Sequence, residues 1–408
     1  MKVLFITTEC PTNLAENVHG IYKRMSMFID AIKEIASMNM LFYVSPDDVD
    51  ISSFTVSEIE YSFYQHWNVK LKISLCEKNM NEGSLSKWQS QSRGVFNFFK
   101  QPVFMGTSGS QQIQAFEKCL SYEPDAIFVH RLRSMSPAML TRRSLPPIFL
   151  DLDDVEHLVL MRKIRQPPSK LITLLYNLQV PALWWGEYCA IRLARQTFVC
   201  SEQDRNYLTK RWGLPGVVTV PNAVIIPEPQ HITSQPTLLL LGSFDYNVPN
   251  VNAANFLIEQ VWPKIHQVMP EARLIIAGKA PESIRSYKAG VPGVEFTSFV
   301  DDLDALYRRV RVVCCPIFSG GGTRVKVVEA AAYGKPIVAT RIGVEGLKMH
   351  DGQNFLLANT PELFAEACLD LLKEDTLCEQ IGANARETAL QYYDRNHIVR
   401  LIQQYMKI

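Results

Sequence analysis

The residues best suited to chemistry are grouped between positions 318 and 340. Three consecutive glycines, Gly320, Gly321 and Gly322, are followed closely by four polar side chains: Thr323, Arg324, Lys326 and Glu329. Glycines carry no Cβ, so their backbone N–H groups can approach an anion closely. The two cations add positive charge, and a helix that begins here adds more at its N-terminus. The pattern predicts a phosphate-binding loop, with a flexible turn bearing solvated charges as the plainer alternative.

The flanking residues predict a strand, a helix and a second strand around this loop. The apolar run RVVCCPI precedes the glycines, and PIVAT follows Lys335. Helical spacing assigns two sides to the helix, a polar one and a buried one: Lys326, Glu329 and Tyr333, against Val325, Val328 and Ala332. At about 1.5 Å of rise per residue, Glu329 would lie roughly 9 Å from Thr323 along the axis. A ribose whose diphosphate occupies the helix start would be within its reach.

Two common nucleotide sites are excluded by their sequence patterns. No G-x-G-x-x-G follows the first predicted strand, where ITTECPTNLAENVHG stands instead. No G-x-x-x-x-G-K-[ST] occurs, so an ATP-binding P-loop has no support. The predicted phosphate site also comes late in the chain, which is unusual for dehydrogenases.

Length and composition indicate an ordinary globular protein of two or three domains. The chain has 408 residues, of which 47% are hydrophobic and 20% charged. A net charge of +1 gives no reason to expect a nucleic-acid partner. The nine cysteines show no metal-ligand spacing, and Cys314 and Cys315 lie inside an apolar run. These features favour reduced, buried thiols in a cytoplasmic protein.

Two apolar segments could suggest a membrane protein, but neither is typical of a signal peptide or of a membrane-spanning helix. The N-terminal MKVLFITTECPT has too short an apolar run for a signal peptide and predicts a first strand. Residues 171–194 are rich in Leu, Tyr and Trp but contain helix-disfavouring or charged residues: Pro181, Gly186, Glu187 and Arg192. A buried helix pair is the favoured interpretation. Peripheral contact with the inner face of a membrane through Trp184 and Trp185 is the alternative.

Short apolar runs alternate with amphipathic segments from end to end, which predicts parallel α/β units. In the first half the predicted strands are Val3–Thr8, Met40–Val44, Asp125–His130, Ile148–Leu152, Thr197–Cys200 and Val217–Val220. The predicted helices there are Ile21–Ser37, Gln111–Ser121 and Leu171–Arg195. Residues 45–109 are polar and weakly periodic, and they are interpreted as strands plus a mobile helical excursion.

A proline-rich segment, PNAVIIPEPQHITSQP, predicts a domain boundary after which the pattern restarts. The second half has predicted strands and helices in alternation: Thr237–Leu241, Val251–Gln267, Arg273–Ala277, Asp301–Arg309 and Arg311–Ile317. We therefore expect an N-terminal domain of residues 1–222, a linker of 223–236 and a C-terminal domain of 237–390. A helix within 391–408 would belong to either domain, with packing against the N-terminal one expected.

These segments together resemble glycosyltransferase family 4. The segment GGTRVKVVEAAAYGKPIVATRIGVEGL looks like that family's donor-binding signature, and four weaker pieces occur in the family's order: FVCSEQDRNYL, VPNAV, LLLLGSFDYNVPN and PEARLIIAGK. The resemblance covers most of the second half and is loose in the first. Its nearest subgroup is the sugar transferases of exopolysaccharide systems. It implies the GT-B fold, two Rossmann-like domains facing across a cleft.

The resemblance also implies residue roles in the donor site. Glu329 matches the second of two family glutamates, the one that contacts the donor ribose, and Gly242 falls among the donor-binding residues. The first glutamate would fall at Gly321, so that carboxylate is missing. Relatives commonly carry Arg and Lys after the first strand of the second domain, and GSFDYNVPN has neither. Arg324 and Lys326 are therefore expected to supply the positive charge.

In the first half the candidates are weaker. By resemblance, acceptors approach near Gly20, which follows the loop after the first strand, although a simple loop glycine is the alternative. His130 ends the strand DAIFVH and is followed by Arg131, so both could face a ligand at the carboxyl end of a parallel sheet. A structural histidine bonded to a loop is the alternative for His130. For DLDDVEH, residues 151–157, capping and turn roles are favoured over a cleft role for Asp154 or Glu156, and over metal binding.

The implied activity is a retaining, hexosyltransferase-like transfer of sugar from a nucleotide-diphosphate sugar to an acceptor hydroxyl of a sugar, glycan or glycolipid. No cofactor and no metal are expected. Two alternatives stay open, a nucleotide-sugar epimerase of the same fold and a catalytically silent binding protein.

Overall fold

The chain is divided into two compact units, each built on its own sheet. A computed structural model describes residues 1–11, 20–45, 53–78, 105–164, 170–245, 248–287 and 290–407. The first unit comprises Met1–Val220 and Val399–Ile408, and the second comprises Pro221–Ile398. The expected linker, residues 223–236, is assigned to the second unit. The last helix begins in the second unit and ends in the first.

Both sheets are parallel throughout their described strands. In the first unit the strands are β1 (Lys2–Thr7), β2 (Ser37–Val44), β3 (Lys72–Glu77), β4 (Ala126–His130), β5 (Ile148–Asp153), β6 (Gln196–Val199) and β7 (Val217–Thr219). In the second they are β8 (Thr237–Leu241), β9 (Arg273–Ala277), β10 (Val294–Thr297), β11 (Val312–Cys315), β12 (Ile337–Ala339) and β13 (Leu356–Leu357).

The strand orders show the same topology in both units. They are β3-β2-β1-β4-β5-β6-β7 and β10-β9-β8-β11-β12-β13. In each sheet the chain starts at a central strand, moves out to one edge and then crosses to the other side, which is the doubly wound Rossmann-like arrangement. The predicted pair of Rossmann-like domains is therefore confirmed.

The connecting segments are mostly helical, as parallel strands require. In the first unit the helices are α1 (Gly20–Lys33), α2 (Ser53–Trp67), α3 (Ser110–Leu120), α4 (Ser136–Leu140), α5 (Glu156–Ile164), α6 (Lys170–Leu193) and α7 (Glu202–Asn206). The remaining helices are α8 (Val248–Phe256), α9 (Trp262–Val268), α10 (Leu303–Arg308), α11 (Val325–Ala332), α12 (Pro361–Lys373), α13 (Asp375–Tyr392) and α14 (Arg395–Tyr405).

Strand β8 shows why these strands read as continuous apolar runs in the sequence. Its side chains alternate between the two faces of the sheet, so Leu238 and Leu240 pack into one core cluster with Trp262. Leu239 lies in the opposite cluster with Val328. Since helices cover both faces, every position along the strand is buried or nearly so, and apolar side chains predominate.

The segment after α5 forms a single helix, α6, that contains Pro181. The long helix predicted at Leu171–Arg195 is confirmed, and the interpretation of this segment as a helix pair is wrong. Trp184 packs against Trp212 with ring centroids 4.8 Å apart, and Trp185 stacks on Tyr188 at 5.5 Å. These rings are half-buried, and the lipid contact stays a prediction. None of the helices in the described ranges is long and apolar enough to cross a membrane.

Residues 45–109 contain both kinds of element that the sequence predicts. The described part holds one α-helix, α2, and one strand, β3, which pairs with β2 at the sheet edge. The rest of this region, residues 46–52 and 79–104, lies outside the described residues.

Candidate functional site

The predicted phosphate loop lies at the carboxyl ends of two neighbouring strands. Strands β8 and β11 pair directly in the middle of the second sheet. Gly242 follows β8, and the glycine loop follows β11. Ligands of open α/β sheets bind beyond these strand ends, at the point where the strand order reverses. The loop is therefore placed where this fold binds ligands.

Only two of the three consecutive glycines need a glycine backbone. Gly320 has a φ of 108° and Gly322 a φ of 72°, both in the region that disfavours side chains. The φ of Gly321 is not positive, so the backbone conformation at this position would accept a residue with a side chain. The missing family glutamate at this position is therefore a difference in chemistry and not a consequence of backbone conformation.

Arg324 lies just before the helix and not inside it. It is the N-cap residue of α11, and its guanidinium turns back onto the loop. Nη1 donates to the carbonyl oxygen of Gly321, and Nη2 donates to that of Ser319 at 3.4 Å. By donating to two carbonyl oxygens of the loop, Arg324 holds the loop backbone in one conformation. The direction of the loop's backbone N–H groups is fixed with it.

A second contact holds Thr323, which lies between the glycines and Arg324. Asn222 Nδ2 donates to Thr323 Oγ1 at 2.8 Å. Asn222 belongs to the VPNAV piece of the family resemblance, for which the sequence predicts no role. Because a side chain 101 residues away fixes Thr323, the loop is tied to the start of the second unit.

Lys326 lies in the first turn of α11 and points towards the loop after β8. Its Nζ donates to Asn250 Oδ1 at 2.8 Å, and Asn250 Nδ2 donates to the Ser243 carbonyl oxygen at 2.8 Å. Burial lowers the pKa of Lys326, and the neighbouring Arg324 lowers it further. Gly242 lies against this pair, since a Cβ built on it would be 3.1 Å from Lys326 Nζ.

Helix α11 presents a polar side, as predicted, with an aromatic pair beside it. Lys326, Glu329 and Tyr333 are all half-buried. Tyr333 donates to Asp304 Oδ1 at 2.5 Å and stacks on Tyr307 with ring centroids 4.0 Å apart. Burial raises the pKa of Tyr307, and the charge of nearby Glu329 acts in the same direction.

The apolar side of α11 is wider than its prediction. Val328 and Ala332 are buried as expected, but Val325 is only half-buried. Three residues outside the predicted stripe are also buried: Val327, Ala330 and Ala331. The helix packs against both the sheet and α13, so it buries more of its circumference than a surface helix, which explains the difference.

In the first unit, His130 is fully buried at the end of β4. Its Nδ1 lies 3.0 Å from Thr7 Oγ1, at the end of the neighbouring β1. Burial and the adjacent Arg131 lower the pKa of His130, so the ring is neutral at neutral pH. The hydrogen-bond partner lies in a strand and not in the loop expected of a structural histidine, and the place of His130 beside the sugar stays a prediction.

Arg131 and Gly20 occupy positions typical of a ligand-binding edge. Arg131 has a φ of 67°, which is uncommon for a residue with a side chain. Its Nη1 lies 3.9 Å from Glu9 Oε1. Gly20 is the first residue of α1. The structure thus places these acceptor-side candidates and His130 in the first unit, and the donor candidates in the second.

The DLDDVEH segment contains a buried ion pair that no local pattern reveals. Arg24, on α1, donates to both carboxylate oxygens of Asp151 and also to the Val220 carbonyl oxygen, and both side chains are fully buried. Asp151, for which a capping or turn role is predicted, anchors α1 to the sheet. Sequence reasoning misses this pair because Arg24 lies 127 residues from its partner.

One group of described residues has the composition of a metal site. The candidate ligand atoms of Asp153, Asp154 and Cys200 all lie within 4.8 Å of one another. Arg24 Nε is 3.3 Å from Asp153 Oδ1, so a permanent cation already lies at this cluster. Burial raises the pKa of the Cys200 thiol, and the neighbouring aspartates act in the same direction.

A second buried pair ends the same segment. His157 Nδ1 is hydrogen-bonded to Glu187 Oε2, and its Nε2 lies 2.8 Å from the Tyr207 hydroxyl. Glu187 also accepts from the backbone N–H of Glu156, at the first turn of α5. Glu187, which interrupts an apolar segment of the sequence, therefore accepts a hydrogen bond from a backbone N–H group at the start of a helix, where no helical partner is available.

Comparisons with known proteins find sequence similarity in the second unit. The model of a family described as glycosyl transferases group 1 matches residues 235–374, which include the loop and both strands that hold it. A phosphatidyl-myo-inositol mannosyltransferase of Mycobacterium leprae is 27% identical over 205 residues, covering 45% of this chain and 53% of that protein. The chain spans about half the length of the first curated relatives it matches, from 40% to 54%.

Solved structures show the same fold over the whole chain. Anabaena Alr3699/HepE in complex with UDP and glucose has a TM-score of 0.60 at 16% identity, covering 99% of this chain and 98% of that one. Sucrose-phosphate synthase from Thermosynechococcus elongatus has a TM-score of 0.66 at 16% identity, covering 99% and 97%. The chain therefore has the GT-B fold of two Rossmann-like units, and its second unit is similar to the glycosyl transferases group 1 family.

Proposed function

We propose that the protein is a retaining glycosyltransferase that moves a sugar from a nucleotide-diphosphate sugar to an acceptor hydroxyl. The observation that carries this proposal is the glycine loop at 320–323, with Arg324 and Lys326 beside it, at the carboxyl ends of β8 and β11. Backbone amides, a guanidinium and an amine together match the charge and shape of a diphosphate.

The chemistry follows from where charge develops. As the bond between the sugar C1 and the diphosphate breaks, negative charge grows on the leaving phosphate. The loop amides, Arg324 and Lys326 would stabilise that charge, which is electrostatic catalysis by a preorganised site. The acceptor oxygen bonds to C1 on the same face, and its proton passes to the departing phosphate oxygen. This route requires no protein nucleophile.

The proposed acceptor is a sugar, glycan or glycolipid, in polysaccharide or glycolipid synthesis. The name of the mycobacterial relative includes a lipid acceptor, phosphatidyl-myo-inositol, and HepE was solved with UDP and glucose. His130, at the carboxyl end of β4, is proposed as a catalytic residue beside the transferred sugar. Arg131, which follows it, and Gly20, at the start of α1, are the proposed acceptor-side residues.

The donor is identified by a thermal-shift panel of UDP-, GDP- and ADP-sugars. A ligand that binds the native state raises the melting temperature, so a true donor is expected to stand out from the other bases. With that donor and a glycan or glycolipid extract, the nucleoside diphosphate should be released only when acceptor is present. Proton NMR of the product should show the anomeric configuration of the donor.

Two outcomes would favour the alternatives. An altered nucleotide sugar formed without any acceptor would indicate an epimerase. Donor binding without turnover on any extract would indicate a silent binding protein. Retention fails as a proposal if the product shows the opposite anomeric configuration.

Arg324→Ala tests the loop directly. We expect the donor KM to rise or kcat to fall by about tenfold or more, because a charge-assisted contact to the diphosphate and the clamp on Gly321 are both lost. Arg309→Ala is the control, since that side chain is exposed and pairs across the surface with Glu295. Unchanged kinetics in Arg324→Ala would remove this residue from the site.

A further inference from the structure

We propose that Asn250 is the positioning residue that aims the Lys326 amine at the donor diphosphate. The inference rests on the proposed function, because it concerns the same site. Asn250 lies in the first turn of α8, directly beyond the loop that follows β8. Its role is to act through Lys326, without itself having to touch the diphosphate.

The hydrogen bonds of Asn250 use both ends of its amide. Oδ1 accepts from Lys326 Nζ at 2.8 Å, and Nδ2 donates to the Ser243 carbonyl oxygen at 2.8 Å. The residue is 7% exposed, so neither bond competes freely with water. Asparagine alone among residues of this shape both donates and accepts, because aspartate lacks the donor. The backbone at Ser243 thus fixes the amide, and the amide fixes the amine.

A lysine in this position needs such a support. Its ammonium is a point charge on a flexible stem, and holding that stem in one conformation costs about 2 kcal/mol of side-chain entropy. Burial also disfavours the charged form of Lys326, whereas a carbonyl oxygen that accepts its hydrogen bond favours it. Asn250 therefore contributes to both the direction and the charge of the amine.

Gly242 keeps this arrangement compact. A Cβ built on Gly242 would lie 3.0 Å from Asn250 Nδ2 and 3.1 Å from Lys326 Nζ, closer than nearly all real Cβ contacts. The loop after β8, GSFDYNVPN, contains neither lysine nor arginine. Its electrostatic contribution to the site is therefore indirect, made by orienting a cation that belongs to α11.

Three variants test the inference in the full-length protein. Asn250→Ala removes both hydrogen bonds, and Asn250→Asp keeps an acceptor for Lys326 but loses the donor to Ser243. Asn255→Ala is the matched control, because Asn255 is a buried asparagine of the same helix whose Oδ1 accepts from Arg285 N at 3.3 Å, away from Lys326. Melting temperatures establish that each variant is folded.

The first readout is affinity for a nucleoside diphosphate by isothermal titration calorimetry. The probe is whichever of UDP, GDP and ADP binds the wild type best. We expect Asn250→Ala to weaken binding about ten- to hundredfold, the range of a hydrogen bond to a charged group. Asn255→Ala should bind like the wild type. Wild-type affinity in Asn250→Ala would overturn the inference.

The second readout is the pH dependence of that binding. The groups that act on Lys326 are Cys315, Arg324 and Glu329. With the acceptor removed in Asn250→Ala, the alkaline loss of binding should move to lower pH, and with the carboxylate of Asn250→Asp it should move to higher pH. A merely structural role would move neither, so an unchanged alkaline limb in both variants would overturn the inference.

A double-mutant cycle with Lys326→Met completes the test. If Asn250 acts through Lys326, Asn250→Ala should weaken binding far less in the Lys326→Met background than alone. Fully additive losses would contradict that action. The failure of the proposed function has a different signature, since then the wild type itself would bind none of the three nucleoside diphosphates.

Discussion

Gly278 lies so close to Gly242 that a Cβ built on it would be 1.5 Å from the Gly242 carbonyl oxygen. The φ of Gly278 is 142°, which side chains rarely adopt. Gly242 also donates its backbone N–H to the Ala277 carbonyl oxygen at 3.0 Å. The backbones that leave β8 and β9 are thus in direct contact beside Lys326, and this contact sets the position of Gly242 at the end of β8.

Gly278→Ala is therefore expected to disturb both stability and donor binding. The clash is with a backbone atom, so it can be relieved only by moving the two strand ends apart, at about 1–3 kcal/mol for overpacking of this kind. Nucleotide-sugar affinity should fall as well, because Gly242 moves away from Lys326. Urea unfolding and calorimetry measure the two effects.

Gly352→Ala separates the clash from backbone strain. Gly352 has a φ of 71°, but a Cβ added to it would meet no heavy atom within 4 Å, so its substitution costs conformational strain alone. We expect a smaller loss of stability and unchanged nucleotide-sugar affinity. Equal effects of Gly278→Ala and Gly352→Ala would show that the contact with Gly242 is unimportant.

The glycine loop gives a matched set of three substitutions. Gly320→Ala and Gly322→Ala place a side chain at φ values of 108° and 72°, at a cost of about 1–2 kcal/mol each, and should weaken donor binding. Gly321→Ala should leave the melting temperature unchanged, since its φ is not positive. Thermal unfolding with and without donor measures both. Equal losses at all three positions would contradict the backbone argument.

The Arg24–Asp151 ion pair should be costly to break and cheap to replace. Arg24→Met leaves Asp151 buried and uncompensated, so the free energy of unfolding should fall by about 3–5 kcal/mol. Adding Asp151→Leu removes the orphaned charge and should recover most of that loss. Urea denaturation of the two variants decides it. If the double variant is as unstable as Arg24→Met, the loss of stability does not come from the uncompensated charge of Asp151. The ion pair would then stabilise the fold by more than the cost of burying its two charges.

Lys335 predicts a dependence of stability on pH. Its amine is fully buried and has no hydrogen-bond partner among the described residues, and burial lowers its pKa from 10.5 to about 8. Between these values the unfolded chain holds a proton that the folded chain has lost, so the free energy of unfolding rises with pH. Below about pH 8 the cost of burying the charge is fully present.

Lys335→Met should accordingly stabilise the protein at neutral pH, by at most about 3 kcal/mol from the size of the pKa shift. The gain should shrink as the pH rises from about 8 towards 10.5. Chemical denaturation at several pH values measures it, with Lys373→Met as the exposed control. A gain that is independent of pH would assign the effect to packing and not to charge.

The parts of the fold that can be predicted are the elements whose sequence pattern lies within a short stretch of chain. The strand in DAIFVH and the one before Gly320 lie within a few residues of their predicted bounds, because a strand buried on both faces needs consecutive apolar residues. The long helix predicted at Leu171–Arg195 is present, but the interpretation of that segment as a helix pair is wrong, since Pro181 is accommodated inside one helix. Periodicity cannot tell a tolerated proline from a break, because neighbouring elements decide which occurs.

The loop at 320–324 and its helix follow from the local sequence, because their glycines, cations and flanking strands are adjacent in the chain. The distant side chains that hold them come together only in the folded unit. Asn250 meets Lys326 across 76 residues, and Asn222 meets Thr323 across 101. Such pairs depend on the order of strands in the sheet, and that order is set by packing over the whole unit, which no local pattern records.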